Sequence, residues 1–405
     1  MITKIAWRNL WRNKRRTITS ISSIFFAVIL AILMRSLQEG SYGQMIDTAA
    51  RFYLGYAQVH QNGFWEDKSI NNLMTDSEEK RKKILSDQNI KGAFGRLETY
   101  AMAATDTLTK GVMIVGTEPE GEDQLSKLSL KMTKGKYLSS ESKNIIIGEG
   151  LANYLGINVN DTLALLGQGY HGASAAELYK IQGILKHPNP QMNNQVVYMS
   201  LPTVQYFVSA TNMLNSYILN VHDNRLVDKT VEELKTKLDL DTYEVMSWAE
   251  LSPEMVNLIN TDREGGKLMT YILYVVIAFG IFSTILMMTI EREREFGILI
   301  AVGMVRRKIY SMLLQESLFI GMIGIASSII AGFPILLYME NHPIHLEGAQ
   351  GEAMAKMGME PILRFTASLD IIWPQAVLMA VIMVICTIYP IIHVARLKTV
   401  EAIHS

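Results

Sequence analysis

The chain has 405 residues, 38 Lys+Arg against 39 Asp+Glu, and a single cysteine, Cys386. The charge balance excludes the basic excess of a nucleic-acid binder, and one cysteine excludes an intramolecular disulfide, a Cys-ligated zinc site or an iron–sulfur cluster within one chain. Apolar residues reach 49% and mean hydropathy is +0.15, too high for a soluble enzyme and too low for a wholly embedded transporter, so membrane spans and a water-exposed part are both expected.

In chain order, residues 1–16 carry Lys4, Arg8, Arg12, Lys14, Arg15 and Arg16 and no acid. Trp7 and Trp11 share one helix face and Arg8 and Arg12 another, which predicts a helix anchored along the membrane interface. The first span covers 17–38; its apolar core is long, and Met34-Arg35-Ser36-Leu37 lacks a small-x-small cleavage site, so it reads as an uncleaved anchor.

Residues 39–266 alternate strand-like and helix-like pieces. Strands are predicted at 56–60, 112–116, 144–148, 162–166, 178–185, 195–199 and 217–221. Helices are predicted at 76–87, 149–155, 201–208 and 228–238. This is an α+β pattern without internal repeats.

A second span covers 267–290, a link 291–308, a third span 309–338 broken near its start by Gln315 and Glu316, a loop 339–370, a fourth span 371–394 and a tail 395–405. The link (Arg292, Arg294, Arg306, Arg307, Lys308) and the tail (Arg396, Lys398) are basic; the 339–370 loop is acidic, with Glu340, Glu347, Glu352, Glu360 and Asp370. The basic side faces the cytoplasm. The expected fold is an integral membrane protein of four transmembrane helices, both termini cytoplasmic, with a large α+β periplasmic domain between helices one and two.

No phosphate-binding loop is present: Gly135-Lys136 is followed by Tyr137 and Gly266-Lys267 by Leu268, where Ser or Thr is required. ATP hydrolysis must therefore come from another chain. Gly167-Gln168-Gly169-Tyr170-His171-Gly172 matches G-x-G-x-x-G, but no helix fits before the next strand, so it reads as a flexible hairpin tip. His342, His345 and Glu347 have no ligand spacing, and no catalytic or metal residue is assigned; the chain is not expected to be an enzyme. Among 24 methionines, Met34, Met269, Met287 and Met288 lie at spans one and two, as adaptable apolar surface or ordinary packing.

The link is the most informative stretch. Glu291 and Glu295 share a helix face; Phe296, Ile298, Leu299 and Ile300 then form an apolar patch in a short cytoplasmic loop, and Gly303 permits a turn. An exposed apolar patch calls for a partner.

These residues carry a resemblance. EREREFGILIAVGMVRRKIYSMLLQESLFIGMIG resembles the cytoplasmic coupling region of FtsX-type (type VII, MacB-like) ABC-transporter permeases. AWRNLWRNKRRT resembles their start, and YPIIHVARLKTVEAIHS their ending, through Pro390, Ala395, Arg396, Leu397, Glu401 and Ala402, with Thr399-Val400 where Pro-Val is common. IIIGEGLANYLGINVNDTLAL resembles their outside core domain, and RFYLGYAQVHQNGFW the lipoprotein-releasing LolC/LolE branch.

The resemblance implies two paired permease chains above two separate ATPase subunits (LolD-like) that bind the ATP and Mg, this chain holding no cofactor. It implies mechanotransmission that extracts lipoprotein cargo from the outer leaflet of the inner membrane toward a periplasmic carrier. It assigns ATPase coupling to Glu291, Arg292, Glu295, Phe296, Gly297, Ile298, Leu299, Ala301, Gly303 and Met304. It assigns a cargo cavity to Phe25, Phe26, Ile29, Leu33, Met34 and Leu37 on span one and Tyr274, Ile277, Phe279 and Ile281 on span two. A carrier-contact hairpin would lie at Gly167, Gly169, Tyr170 and His171; it is short for a carrier-recruiting hook, which points to a partner-type subunit or to a homodimer serving both roles. The alternatives are an FtsX-like signalling module controlling a periplasmic hydrolase, against which the large outside domain counts, and a MacB-like export motor, whose fused ATPase the start at Met1-Ile2-Thr3-Lys4 leaves no room for.

Overall fold

Each apolar run becomes a helix long enough to cross a bilayer: Lys14–Leu54, Pro253–Ile290, Arg306–Asn341 and Leu369–Arg396. The structure, a computed structural model, describes residues 2–12, 14–356 and 361–397. Glu360 and the tail residues Lys398, Thr399, Val400, Glu401 and Ala402 lie outside the described residues. The chain divides into a helical unit, which takes residues up to Gly43, Leu258–Ile344 and those from Leu363, and a second unit of Gln44–Asn257 with His345–Ile362.

The helices outrun the apolar windows that mark them. The first continues through Ala49 and a π-type turn at Ala50–Leu54. The second starts at Pro253, with proline in the first turn, where its missing N–H costs nothing. Hydropathy reports membrane thickness; the polar extensions are tied by other means. Tyr42 Oη donates to Asp262 at 2.6 Å, and Arg263 pairs with Glu39 at 3.0 Å.

Small residues let helices approach closely. A Cβ on Gly324 would sit 2.7 Å from Ile24 Cγ2, and Ser328 Oγ donates to the Phe25 carbonyl at 3.3 Å. The third helix is not broken at Gln315-Glu316. Glu316 is buried, and it accepts hydrogen bonds from Asn9 at 2.8 Å and Arg292 at 2.6 Å. A carboxylate satisfied this way stays inside a helix.

The second unit is built on a ten-stranded sheet. Its strands are β1 (Ala57–Gln61), β2 (Ile90–Ala104), β3 (Thr109–Thr117), β4 (Met132–Gly135), β5 (Ile145–Gly148), β6 (Thr162–Gln168), β7 (Ser174–Leu185), β8 (Val196–Ser200), β9 (Ser216–Val221) and β10 (Tyr243–Ser247). The order is β10-β1-β9-β2-β3-β8-β5-β7-β4, with β6 joining β2 and β7. Pairs β3–β8 and β5–β7 are parallel.

Successive side chains of a strand point to opposite faces. Val112, Ile114, Ile145 and Ile147 enter one core, while Met113, Val115 and Ile146 enter another with Tyr198. Burial on both faces explains why these strands read as unbroken apolar runs. A third core joins β1, β9 and the helix Val227–Lys237 through Val59, Ile218, Val231 and Leu234.

His187 is buried between Phe52 and Tyr198. Burial pushes its pKa down to about 4, with the Asn189 backbone opposing. Below an unfolded value of about 6.5 the unfolded chain binds the proton first, so stability falls as pH drops through the window toward 4. Relative to neutral pH, about 2 kcal/mol should be lost at pH 5. Chemical denaturation at both pH values checks this, and His187→Asn should remove this histidine's share of the pH dependence, leaving that of buried His60.

Candidate functional site

The link between the second and third long helices is itself a helix, Glu293–Ala301, with Glu293 and Glu295 in the first turn, where the helix dipole favours acids. Phe296 is fully buried, packed in one cluster with Ala6, Ile309, Met312, Leu313 and Val394. The Arg292 guanidinium lies 5.1 Å from its ring centroid. The expected exposed loop patch is therefore corrected. Phe296 and Gly297 face the interior, and Leu299, Ile300 and Met304 are half-buried against the same cluster. Residues distant in sequence, Ala6 and Val394, cover the aromatic ring.

What stays outside is a narrower edge: Ile298 (48% exposed), Ala301, Val302 (83%) and Val305 (57%). Gly303, at φ +98°, takes a backbone conformation few other residues adopt, and so lets the chain turn into the third long helix.

Charges fasten this helix to its neighbours. Glu295 accepts from Arg12 at 2.7 Å and Arg292 at 3.2 Å. Burial pushes the Glu295 carboxyl up, but the two arginines outweigh it and hold the pKa below the usual carboxylate range. The hydrogen bond to Glu295 raises Arg12 in turn. Glu291 pairs with Arg16, and Glu293 with His393 of the fourth long helix. Arg292 also reaches Glu316, beside a cavity of about 30 Å³ lined by Asn9, Arg12, Thr289 and Ser317.

The N-terminal helix Ile2–Arg12 buries Ala6 and Leu10. Trp7 and Trp11 meet edge-on at 6.0 Å, both partly exposed, and Trp7 meets Phe319 at 5.5 Å. Arg8 is exposed, whereas Arg12 is spent on Glu295.

The candidate cavity residues divide. Phe26, Met34 and Phe279 are exposed; Phe25, Ile29, Leu33, Leu37 and Ile277 are half-buried. Tyr274 and Ile281 are buried in the helical core, Tyr274 Oη donating to Gln375, so neither faces outward and both are corrected. On the second helix Leu268, Tyr271, Ile272, Val275, Val276 and Phe279 form one exposed apolar stripe at three- and four-residue spacing, and Met269 and Met287 are exposed as well.

The hairpin tip between β6 and β7 is pinned rather than free. Tyr170 N donates to Val208 O at 2.7 Å, Gly169 N to Ala173 O at 2.7 Å, and His171 N to Asn71 Oδ1 at 2.8 Å. Gly169 is buried, Gly167 and Tyr170 are half-buried, and His171 projects into solvent.

Two family profiles match: "FtsX-like permease C-terminal" over residues 267–399 and "MacB-like periplasmic core domain" over residues 17–237. The lipoprotein-releasing system transmembrane protein LolC of Xylella fastidiosa is 22% identical over 333 residues, 79% of each chain. The protein of the same name from Neisseria meningitidis is 20% identical over 327 residues, 78% of this chain and 76% of that one. The ABC transporter permease YtrF of Bacillus subtilis is 30% identical over 162 residues, 39% of this chain and 36% of its own length. The solved periplasmic region of MacB from Actinobacillus actinomycetemcomitans is 12% identical with a TM-score of 0.37, covering 53% of this chain and 99% of that one.

Proposed function

Since the chain belongs to the FtsX-like, MacB-like family of ABC transporter permeases, we propose that it is the membrane subunit of a lipoprotein-releasing transporter driven by a separate ATPase. The observation that carries this reading is the short helix Glu293–Ala301, clamped by buried Phe296 and by Arg12, Arg292 and His393, with Ile298 and Val302 left as an apolar edge. An edge held this rigidly transmits force instead of folding away when a partner pushes on it.

In this reading two ATPase subunits bind ATP and Mg and engage that edge from the cytoplasm, beneath a pair of permease chains. Their closure moves the first two long helices. Acyl chains of cargo in the outer leaflet lie against Phe26, Leu30 and Met34 and the stripe from Leu268 to Phe279. Each methylene buried there contributes about 0.8 kcal/mol, so release needs mechanical work. Relatives named as lipoprotein-releasing transmembrane proteins, aligned along 79% of both chains, support the cargo class. The pinned hairpin tip supports a chain that leaves carrier recruitment to its partner permease.

Purification of the tagged chain in mild detergent, with mass spectrometry of what accompanies it, is the test. An ATPase subunit with triacylated lipoprotein is the expected result. An ATPase with a peptidoglycan hydrolase and no lipoprotein overturns it in favour of signalling.

A further inference from the structure

Between the link helix Glu293–Ala301 and the third long helix lies a joint, residues 302–305, with Gly303 at its centre. A Cβ on Gly303 would meet nothing within 4 Å, so packing does not stiffen the joint there. Two kinds of contact span it. Phe296 packs in one cluster with Ile309, Met312 and Leu313; such packing is non-directional and lets helices slide against one another. Arg292, the N-cap of the link helix, donates to Glu316 Oε2 at 2.6 Å, and Asn9 donates to Oε1 at 2.8 Å. Two directed bonds to one carboxylate hold a single arrangement.

The other cations that reach the link make weaker ties. Both side chains of Arg12–Glu295 and of Arg16–Glu291 are at least 36% exposed, and water screens pairs of that kind. The side chains of Arg292 and Glu316 are only 13% and 11% exposed, so parting them strands two charges away from water. The series Asn9–Glu316–Arg292–Glu295–Arg12 begins and ends on the helix Ile2–Arg12, which closes a ring over that helix, the link and the third long helix. On the reading of the link as the element an ATPase engages, we propose that Glu316 is a positioning residue for coupling. It makes these three elements move as one body, so that a push on Ile298 and Val302 enters the third long helix instead of being absorbed at Gly303. The residues assigned to coupling from sequence all precede that helix; Glu316 lies within it.

The test begins with the full chain alone in lipid nanodiscs. Spin labels at Arg294→Cys and Arg307→Cys, both exposed, in a Cys386→Ala background report the spread of distances across the joint by electron paramagnetic resonance. A narrow distribution is expected, broadened by Glu316→Gln and left narrow by Phe296→Leu, which keeps the apolar packing. Arg292→Lys, whose single ammonium replaces the two separated donors of the guanidinium, serves if Glu316→Gln fails to fold. In complex with the co-purified ATPase, Glu316→Gln should keep ATP turnover within about twofold while ATP-driven cargo release falls about tenfold, a size typical of single-residue coupling effects. Glu316→Asp, which retains the charge, should recover part of that release. A distribution unchanged by Glu316→Gln, or one broadened equally by Phe296→Leu, overturns the proposal. Turnover and release lost together with melting reduce Glu316 to a structural residue and overturn it as well. If the unmodified transporter releases no lipoprotein, the cargo assignment fails, while the distance widths still decide between one body and a free joint.

Discussion

Ile298→Asp should reduce stimulation of the partner ATPase by at least tenfold while leaving the chain's expression and melting unchanged. Its side chain is 48% exposed, so an aspartate there meets water in the isolated chain. In the assembled transporter the same carboxylate would be desolvated against an apolar groove, and a tenfold loss corresponds to about 1.4 kcal/mol. Phe296→Asp should behave differently. Phe296 is fully buried among Ala6, Ile309, Met312, Leu313 and Val394, and emptying such a site costs roughly 3–5 kcal/mol before the buried charge is counted. That variant should lower melting and yield together with coupling. ATPase rates in reconstituted membranes, paired with thermal melts of both variants, separate the two effects. An Ile298→Asp protein with unaltered ATP-driven activity would sink the coupling assignment.

The contrast between those two residues shows where sequence reading succeeds. The four membrane helices were legible because hydropathy sums over twenty residues and needs no knowledge of what packs against what. Strands β3, β5 and β8 were legible because burial on both faces leaves an unbroken apolar run. Strand β2, the longest, was not: Gly92, Ala93, Gly95, Ala101 and Ala103 dilute its β propensity, and its pairing with β3, β6 and β9 supplies what local preference lacks.

The link segment shows the limit more sharply. Its apolar residues looked like a free patch because nothing in 291–308 reveals that residues near positions 6 and 394 close over Phe296. Glu316 looked like an interruption of the third helix because its partners, Asn9 and Arg292, come from other segments. That Glu316 is buried and paired was not legible, because its partners lie in stretches whose spacing carries no local signal. A charged residue inside an apolar run is the one clue that could have been followed, since a buried charge implies a partner somewhere in the chain.

Glu122→Ala is expected to be among the most damaging single changes in the α+β unit. Arg96 and Glu122 are both almost wholly buried and pair at 2.7 Å. Thr117 Oγ1 donates to the same carboxylate at 3.1 Å, and Arg96 also donates to the Tyr53 carbonyl. Removing the carboxylate leaves a guanidinium without its strongest counter-ion in a place water does not reach, which costs about 3–5 kcal/mol. For a domain of this size that lowers the melting temperature by roughly 10 °C. Glu122→Gln should lose less, because the amide oxygen still accepts from Arg96. The double change Arg96→Met with Glu122→Leu should recover much of the loss, since an apolar pair of similar volume removes the desolvation of both ions at once. Thermal melts of the full chain and its three variants provide the measurement. If Glu122→Ala melts with the unmodified chain, the pair is not what holds β2 to the helix Pro119–Ser126, and packing of Phe94 and Leu125 must do so alone.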